Sequence, residues 1–243
     1  MIQLNPRADV NSGPQNQTSL TSFRDKHVFL FGPPGAGKGT LSEFLKQRQN
    51  YFHLGLGDIL KDEVKNRTPI GLQVKPLLDK GLLVPSEIGF SLFEKYFLTA
   101  VKANKLVLID GMLQSEAYVD FFTQFMMRYS LEDRCCLVFL RVNKEVAKNR
   151  ICNRIICNSC KRIYTKQKDL IHCEDCKTEL ITRTDDCFEQ AVTKRLDRFF
   201  QVTAIMPAIN RLIEQFKARS LYLEIDAERD LESLKKEYRE IFG

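Results

Sequence analysis

Phe29-Leu30-Phe31-Gly32-Pro33-Pro34-Gly35-Ala36-Gly37-Lys38-Gly39-Thr40 governs how the rest of this chain is read. A short apolar run ends in a glycine-rich loop with one lysine, and the loop opens into Leu41-Ser-Glu-Phe-Leu-Lys46, which has helical character. Strand, glycine loop and helix in that order form a phosphate cradle. The glycines let backbone N–H groups turn inward, the helix N-terminus adds partial positive charge, and a lysine neutralises the β and γ oxygens of a nucleoside triphosphate. In the general pattern a hydroxyl residue follows the lysine directly; here Gly39 separates Lys38 from Thr40. A turn that served only the strand–helix corner would not require Lys38.

Outward from this loop the chain alternates apolar runs with amphipathic stretches. Residues 28–31, 105–110, 136–140 and 221–225 are continuous apolar runs of the kind that form strands buried on both faces. Amphipathic stretches near 39–49, 58–80, 86–103, 115–129, 144–155 and 228–241 predict helices, and a longer one from 188 to 217 should kink at Pro207. This βαβ rhythm predicts an α/β fold with a parallel sheet flanked by helices. Residues 1–23 are rich in Asn, Gln, Ser and Thr and lack apolar periodicity, so they read as a flexible tail ahead of one domain over 24–243. A tail with one Arg and one Asp makes a poor mitochondrial presequence.

The 243 residues are 44% hydrophobic and 28% charged, an ordinary globular balance with a net charge of +6 that suits a polyanionic ligand. The apolar runs fall far short of the ~18 residues of a membrane span. Eight cysteines are too few for a disulfide scaffold in a chain of this length, and a reducing, cytoplasmic setting is expected.

Four of those cysteines form two pairs, Cys157-x-x-Cys160 and Cys173-x-x-Cys176. Each pair offers two thiolates from one tight turn, and two turns complete a tetrahedron around structural Zn²⁺ with no open position. Unligated thiols or iron would show the same spacing. Cys135, Cys136 and Cys152 read as small buried residues. Asp110 ends an apolar run before Gly111, which places its carboxylate at the ligand-binding edge of the sheet; it suits the water shell of Mg²⁺, and also a cap or an ion pair. From Arg141 to Lys168 there are nine Lys or Arg against one acid, Glu145. Arg150 and Arg154, four apart on a predicted helix, would share a face toward one polyanion.

The P-loop, Gly57-Asp58-Ile-Leu-Lys61, Gly81-Leu-Leu-Val84, Asp110-Gly111, Arg150-x-x-x-Arg154, the four-cysteine insertion, Arg183-Thr-Asp-Asp186 and Arg195-Leu196 occur in an order that resembles adenylate kinases with a zinc-bearing lid. The resemblance spans about residues 27–243. It implies a P-loop nucleoside monophosphate kinase fold, with a monophosphate-binding region over 55–84, a lid over 148–188, and reversible γ-phosphoryl transfer from ATP to AMP with Mg²⁺. Carried over position by position, Gly35, Ala36, Gly37, Lys38, Gly39 and Thr40 would bind the ATP phosphates, joined from the lid by Arg154, Ile163 and Tyr164. Lys38, Asp110, Arg150, Arg154, Arg183 and Arg195 would form the catalytic set. Leu56, Asp58, Lys61, Leu82, Leu83, Val84, Gly111 and Gln114, with Arg183 and Arg195, would hold the acceptor. The resemblance implies a monomer with no membrane or nucleic-acid partner.

The acceptor side departs from the family pattern. Leu56 stands for a threonine, Lys61 and Gln114 for arginines, and Tyr118 for a glutamine that reads adenine. Three readings follow from these residues: an adenylate kinase, a kinase for a different nucleoside monophosphate, and a nucleotide-binding pseudoenzyme with an eroded acceptor site. The basic cysteine-rich segment by itself also fits a zinc ribbon on nucleic acid, although it lacks interleaved aromatics for base stacking.

Overall fold

The apolar run before the glycine loop forms β1 (His27–Phe31), buried along its whole length, and the loop feeds α1 (Lys38–Arg48). The computed structural model describes residues 23, 25–48, 50–79, 84–112, 116–183, 186–200, 206–219 and 221–242. After α1 come β2 (Tyr51–Gly55), α2 (Leu56–Lys65), α3 (Pro69–Asp79), α4 (Ser86–Lys102), β3 (Leu106–Asp110), α5 (Glu116–Arg128), β4 (Cys135–Arg141) and α6 (Lys144–Cys152). A small antiparallel sheet follows, built from β5 (Arg154–Cys157), β6 (Ile163–Thr165) and β7 (Leu180–Ile181). The chain closes with α7 (Glu189–Phe200), α8 (Met206–Ala218), β8 (Tyr222–Asp226) and α9 (Leu231–Phe242).

The main sheet is parallel throughout, in the order β2-β3-β1-β4-β8. Asp110 lies level with Leu30 on one side and Gly55 on the other, so β1, β2 and β3 end together. That register delivers the glycine loop, the start of α2 and Gly111 to one sheet edge, where open parallel sheets bind their ligands. Helices flank the sheet. Phe29 meets Phe122 of α5, Phe31 meets Phe199 of α7, and Phe93, Phe97 and Phe125 interlock between α4 and α5. α1 packs on α9 through Phe44 and Tyr238.

The architecture expected from the sequence is present, with local corrections. β2 escapes a search for apolar runs because it is an edge strand, with Phe52 and His53 only half-buried. β8, expected to be buried on both faces, is the opposite edge and is partly exposed. The stretch 58–80 is two helices. Arg67 adopts φ 51° after α2, Pro69 starts α3, and the Thr68 hydroxyl caps α3 by accepting from the Gly71 amide at 3.0 Å. The helix expected to 155 ends at Cys152, because the β-branched pair Ile155-Ile156 joins the strand ladder instead. Cys135 and Cys136 are fully buried as expected, whereas Cys152 is exposed. Phe23, assigned to the tail by composition, belongs to the core at 3% exposure. Residues 1–22 lie outside the described residues, as does the junction between α7 and α8.

Glu63 ties α2 to the core. Its buried carboxylate accepts from the hydroxyls of Thr68 and Tyr96, the latter at 2.8 Å, and from the Lys95 ammonium at 3.4 Å. The Thr68 hydroxyl is the first cause holding this carboxyl below its ordinary value, with Tyr96 and Lys95 adding and burial opposing. A depressed folded value means that stability from this group is present above the ordinary carboxylate range and lost as pH falls through the folded value. Glu63→Gln is therefore expected to lower stability by about 1–2 kcal/mol at neutral pH. The deficit should shrink below about pH 4, as read by urea unfolding across pH.

Candidate active site

The loop after β1 turns back on itself through glycine. Gly35 has φ 82°, and a Cβ there would come within 2.5 Å of the Ala147 carbonyl on α6. Lys38 opens α1, and its ammonium donates to the carbonyls of Gly32 at 2.8 Å and Pro33 at 3.0 Å. Burial is the first cause pushing its pKa down. Arg154, Arg195 and Arg183 push the same way, and only Asp110 opposes. Four cations from the loop, the small sheet, the segment after it and α7 thus converge on one place.

A carboxylate outside the expected set holds two of them. Asp186, whose side chain is fully buried, accepts from Arg154 Nε at 2.8 Å and Nη2 at 2.9 Å, and from Arg195 Nη1 at 3.0 Å. The Arg154 contact is bidentate, the geometry that fixes a guanidinium plane as well as its position. Arg150 goes elsewhere. It lies in the last turn of α6, and its Nη2 contacts the carbonyls of Glu228 and Arg229, each at 3.5 Å. Because Arg154 starts a strand, the shared helical face expected for Arg150 and Arg154 does not exist.

Asp110 stands at the end of β3, and its Oδ1 is buried with no hydrogen-bond partner among the described residues. His53 on β2 has the same condition at Nε2. Burial, then Lys46, lowers the His53 pKa, while Asp110, Asp58 and Glu43 raise it. Sequence reasoning passed over His53 because β2 itself was not recognised. An unpartnered carboxylate oxygen beside a phosphate cradle fits a Mg²⁺ site, since this cation takes one or two carboxylates together with phosphate oxygens.

On the acceptor side, Leu56 is buried at the start of α2, while Asp58 and Lys61 are exposed and lie 4.0 Å apart. Such a pair contributes little to stability. Val84 is half-buried, and Gly111 has φ 76°. Leu82, Leu83 and Gln114 lie outside the described residues.

The four cysteine sulfurs lie within 4.8 Å of one another, with Cys160 and Cys173 3.7 Å apart. Sulfurs bound tetrahedrally to Zn²⁺ at ≈ 2.3 Å sit roughly 3.8 Å apart, so the cluster fits that ion. The amides of Cys160 and Cys176 donate to the sulfurs of Cys157 and Cys173 at 3.4 and 3.5 Å. The Tyr164 hydroxyl lies 3.3 Å from the Cys173 sulfur and accepts from the Glu174 amide at 3.2 Å. That hydroxyl is the first cause bringing the Cys173 thiol down to about 6, and burial opposes it. Tyr164, expected toward ATP, therefore points its polar end at the cysteines. Its neighbour Ile163 points to the cradle, where a Cβ on Gly39 would meet Ile163 Cδ1 at 2.9 Å.

Comparison with known proteins adds a family. The family model described as Adenylate kinase matches residues 30–220. The chain is 33% identical over 213 residues to an adenylate kinase of Methanocella arvoryzae, covering 84% of this chain and 93% of that protein. It is 32% identical over 186 residues to one of Chlamydia pneumoniae, covering 75% and 86%, and 31% identical over 216 residues to one of Mycoplasmopsis pulmonis, covering 87% and 96%. Among the described residues no helix is long and apolar enough to cross a membrane.

Two outcomes are expected from the site. Protein purified under reducing conditions should carry about one zinc per chain by elemental analysis, and Cys160→Ser should lower that content while leaving the main sheet folded. Asp186→Asn removes the counter-charge between two guanidinia, and should cost roughly 3–5 kcal/mol in thermal or urea unfolding.

Proposed function

This chain belongs to the adenylate kinase family, and from that membership and the site geometry we propose that it moves the γ-phosphoryl group of ATP reversibly to AMP, giving two ADP. The observation that carries this reading is the convergence of Lys38, Arg154, Arg183 and Arg195 at the carboxyl edge of the parallel sheet. Phosphoryl transfer requires alignment and charge neutralisation far more than an acid or a base, and four cations around one cradle supply both.

In this reading the amides of the loop from Gly35 to Thr40 wrap the ATP phosphates, and Lys38 leaves its own loop carbonyls for the β and γ oxygens. Arg154 and Ile163 meet the donor from a lid over 148–188. Arg183 and Arg195 face the transferring group and the acceptor phosphate. Arg150, expected to join them, would reach the transferring group only by leaving the carbonyls of Glu228 and Arg229. Asp110 and Thr40 would hold Mg²⁺ with ATP, and that ion supplies further neutralisation of the phosphates when bound. Closure of the lid keeps water from replacing the acceptor.

The acceptor is assigned to the region 55–84 with Leu56, Asp58, Lys61, Leu82, Leu83, Val84, Gly111 and Gln114. Tyr118 borders this region. Its hydroxyl occupies the space where a Cβ on Gly89 would come within 2.2 Å, and its ring meets Phe90 edge-on at 4.8 Å. In this reading the glutamine expected to read adenine is replaced by a phenol that is buried against α4. A four-cysteine cluster of metal-binding geometry suits the reducing, cytoplasmic setting expected from the sequence.

A coupled assay with ATP, Mg²⁺ and AMP tests this function. Turnover with AMP is expected; binding of ATP without turnover would favour the pseudoenzyme reading instead. Lys38→Ala should lower kcat by about a thousandfold or more with the fold intact by circular dichroism. Gln114→Arg adds a guanidinium for the acceptor phosphate, and kcat/KM for AMP should rise about 30-fold.

A further inference from the structure

The β5–β6 ribbon has two working faces. Its register pairs Arg154 with Thr165, Ile155 with Tyr164 and Ile156 with Ile163. Side chains alternate along a strand, so Arg154 and Ile163 share one face while Tyr164 and Cys157 share the other. The contacts agree. Arg154 reaches Asp186 and Ile163 covers Gly39 of the phosphate cradle, whereas Cys157 joins the cysteine cluster and the Tyr164 hydroxyl lies 3.3 Å from the Cys173 sulfur.

We propose that Tyr164 is a positioning residue that couples the metal centre to the donor site: by hydrogen-bonding the Cys173 sulfur from one face of β6 it sets the placement of Ile163 and Arg154 on the other. With a metal held by four thiolates, the phenolic O–H donates to a ligand sulfur from outside the tetrahedron. Partners of this kind orient their ligand and strengthen its hold on the metal. The Glu174 amide donates to the same hydroxyl oxygen, which leaves the hydroxyl proton directed to sulfur. Tyr164 is anchored at both ends, since its backbone belongs to the ladder with Ile155. A change at the cysteines is therefore transmitted across one strand thickness to the residues facing ATP. The ATP half of this inference rests on the kinase reading; the metal half stands without it.

The test uses the full-length zinc-loaded protein and its Tyr164→Phe variant, which keeps the ring and removes the hydroxyl. Zinc release to a colorimetric chelator should be about 10- to 100-fold faster in the variant. The KM for ATP should rise more than kcat falls, because donor placement is altered while Lys38 is untouched. Tyr164→His, which restores a donor on a ring, should recover part of the slow release. Zinc release from Tyr164→Phe at the wild-type rate would overturn the proposal, whatever the activity. Faster release with an unchanged KM for ATP would overturn the coupling. Absence of turnover in the wild type would instead count against the kinase reading.

Discussion

Like charges repel, and the site of this chain gathers four cations where burial strengthens that repulsion. Two unit charges 4 Å apart interact by about 4 kcal/mol in surroundings typical of a protein surface, and by more where water is excluded. Asp186 makes the gathering possible. Its fully buried carboxylate binds Arg154 in bidentate fashion and Arg195 through a third hydrogen bond, so one anion offsets two guanidinia from different elements. Lys38 rests on carbonyl oxygens, and its pKa is pushed down by burial and the three arginines against the single opposing charge of Asp110. The remaining positive potential is what a chain of phosphates neutralises, and the protein is built with that deficit in place.

The parallel sheet and the metal-binding insertion meet this constraint from two sides. Strand register brings β1, β2 and β3 to a common end, which places the glycine loop, Asp110 and the start of α2 without any long-range device. Arg195 arrives on α7, which is packed into the core through Val192 and Leu196, but Arg154 arrives on a small sheet with little core of its own. β5, β6 and β7 are four, three and two residues long, and several of their side chains are exposed. Such a sheet needs a cross-link, and the four-cysteine cluster has the geometry to provide one by holding a metal. The cysteine cluster and the contacts to the glycine loop thus lie on two faces of the same ribbon.

What could be read from the sequence was what local chemistry dictates. A lysine after spaced glycines has few uses other than phosphate, and two Cys-x-x-Cys turns have few uses other than metal. Contacts made by tertiary structure were not legible. Asp186 lies 32 residues from Arg154 and 9 from Arg195, and as the second of two adjacent aspartates it looks like any exposed acid. Arg150 and Arg154 have the spacing of one helix face, but the helix ends at its cap Asn153 and two β-branched residues carry the chain into a strand, so the two point in different directions. β2 was hidden by His53 within an edge strand, and with it the second unpartnered polar atom beside Asp110.

In the proposed reaction these cations direct a phosphoryl group to a nucleotide acceptor and not to water. Phosphorus NMR of a mixture of the protein, ATP, Mg²⁺ and AMP follows every product at once. The expected result is loss of ATP and AMP in equal amounts with two ADP formed for each pair, and inorganic phosphate at a trace. Release of inorganic phosphate at the rate of ATP loss, or ATP consumption that does not depend on AMP, would contradict it.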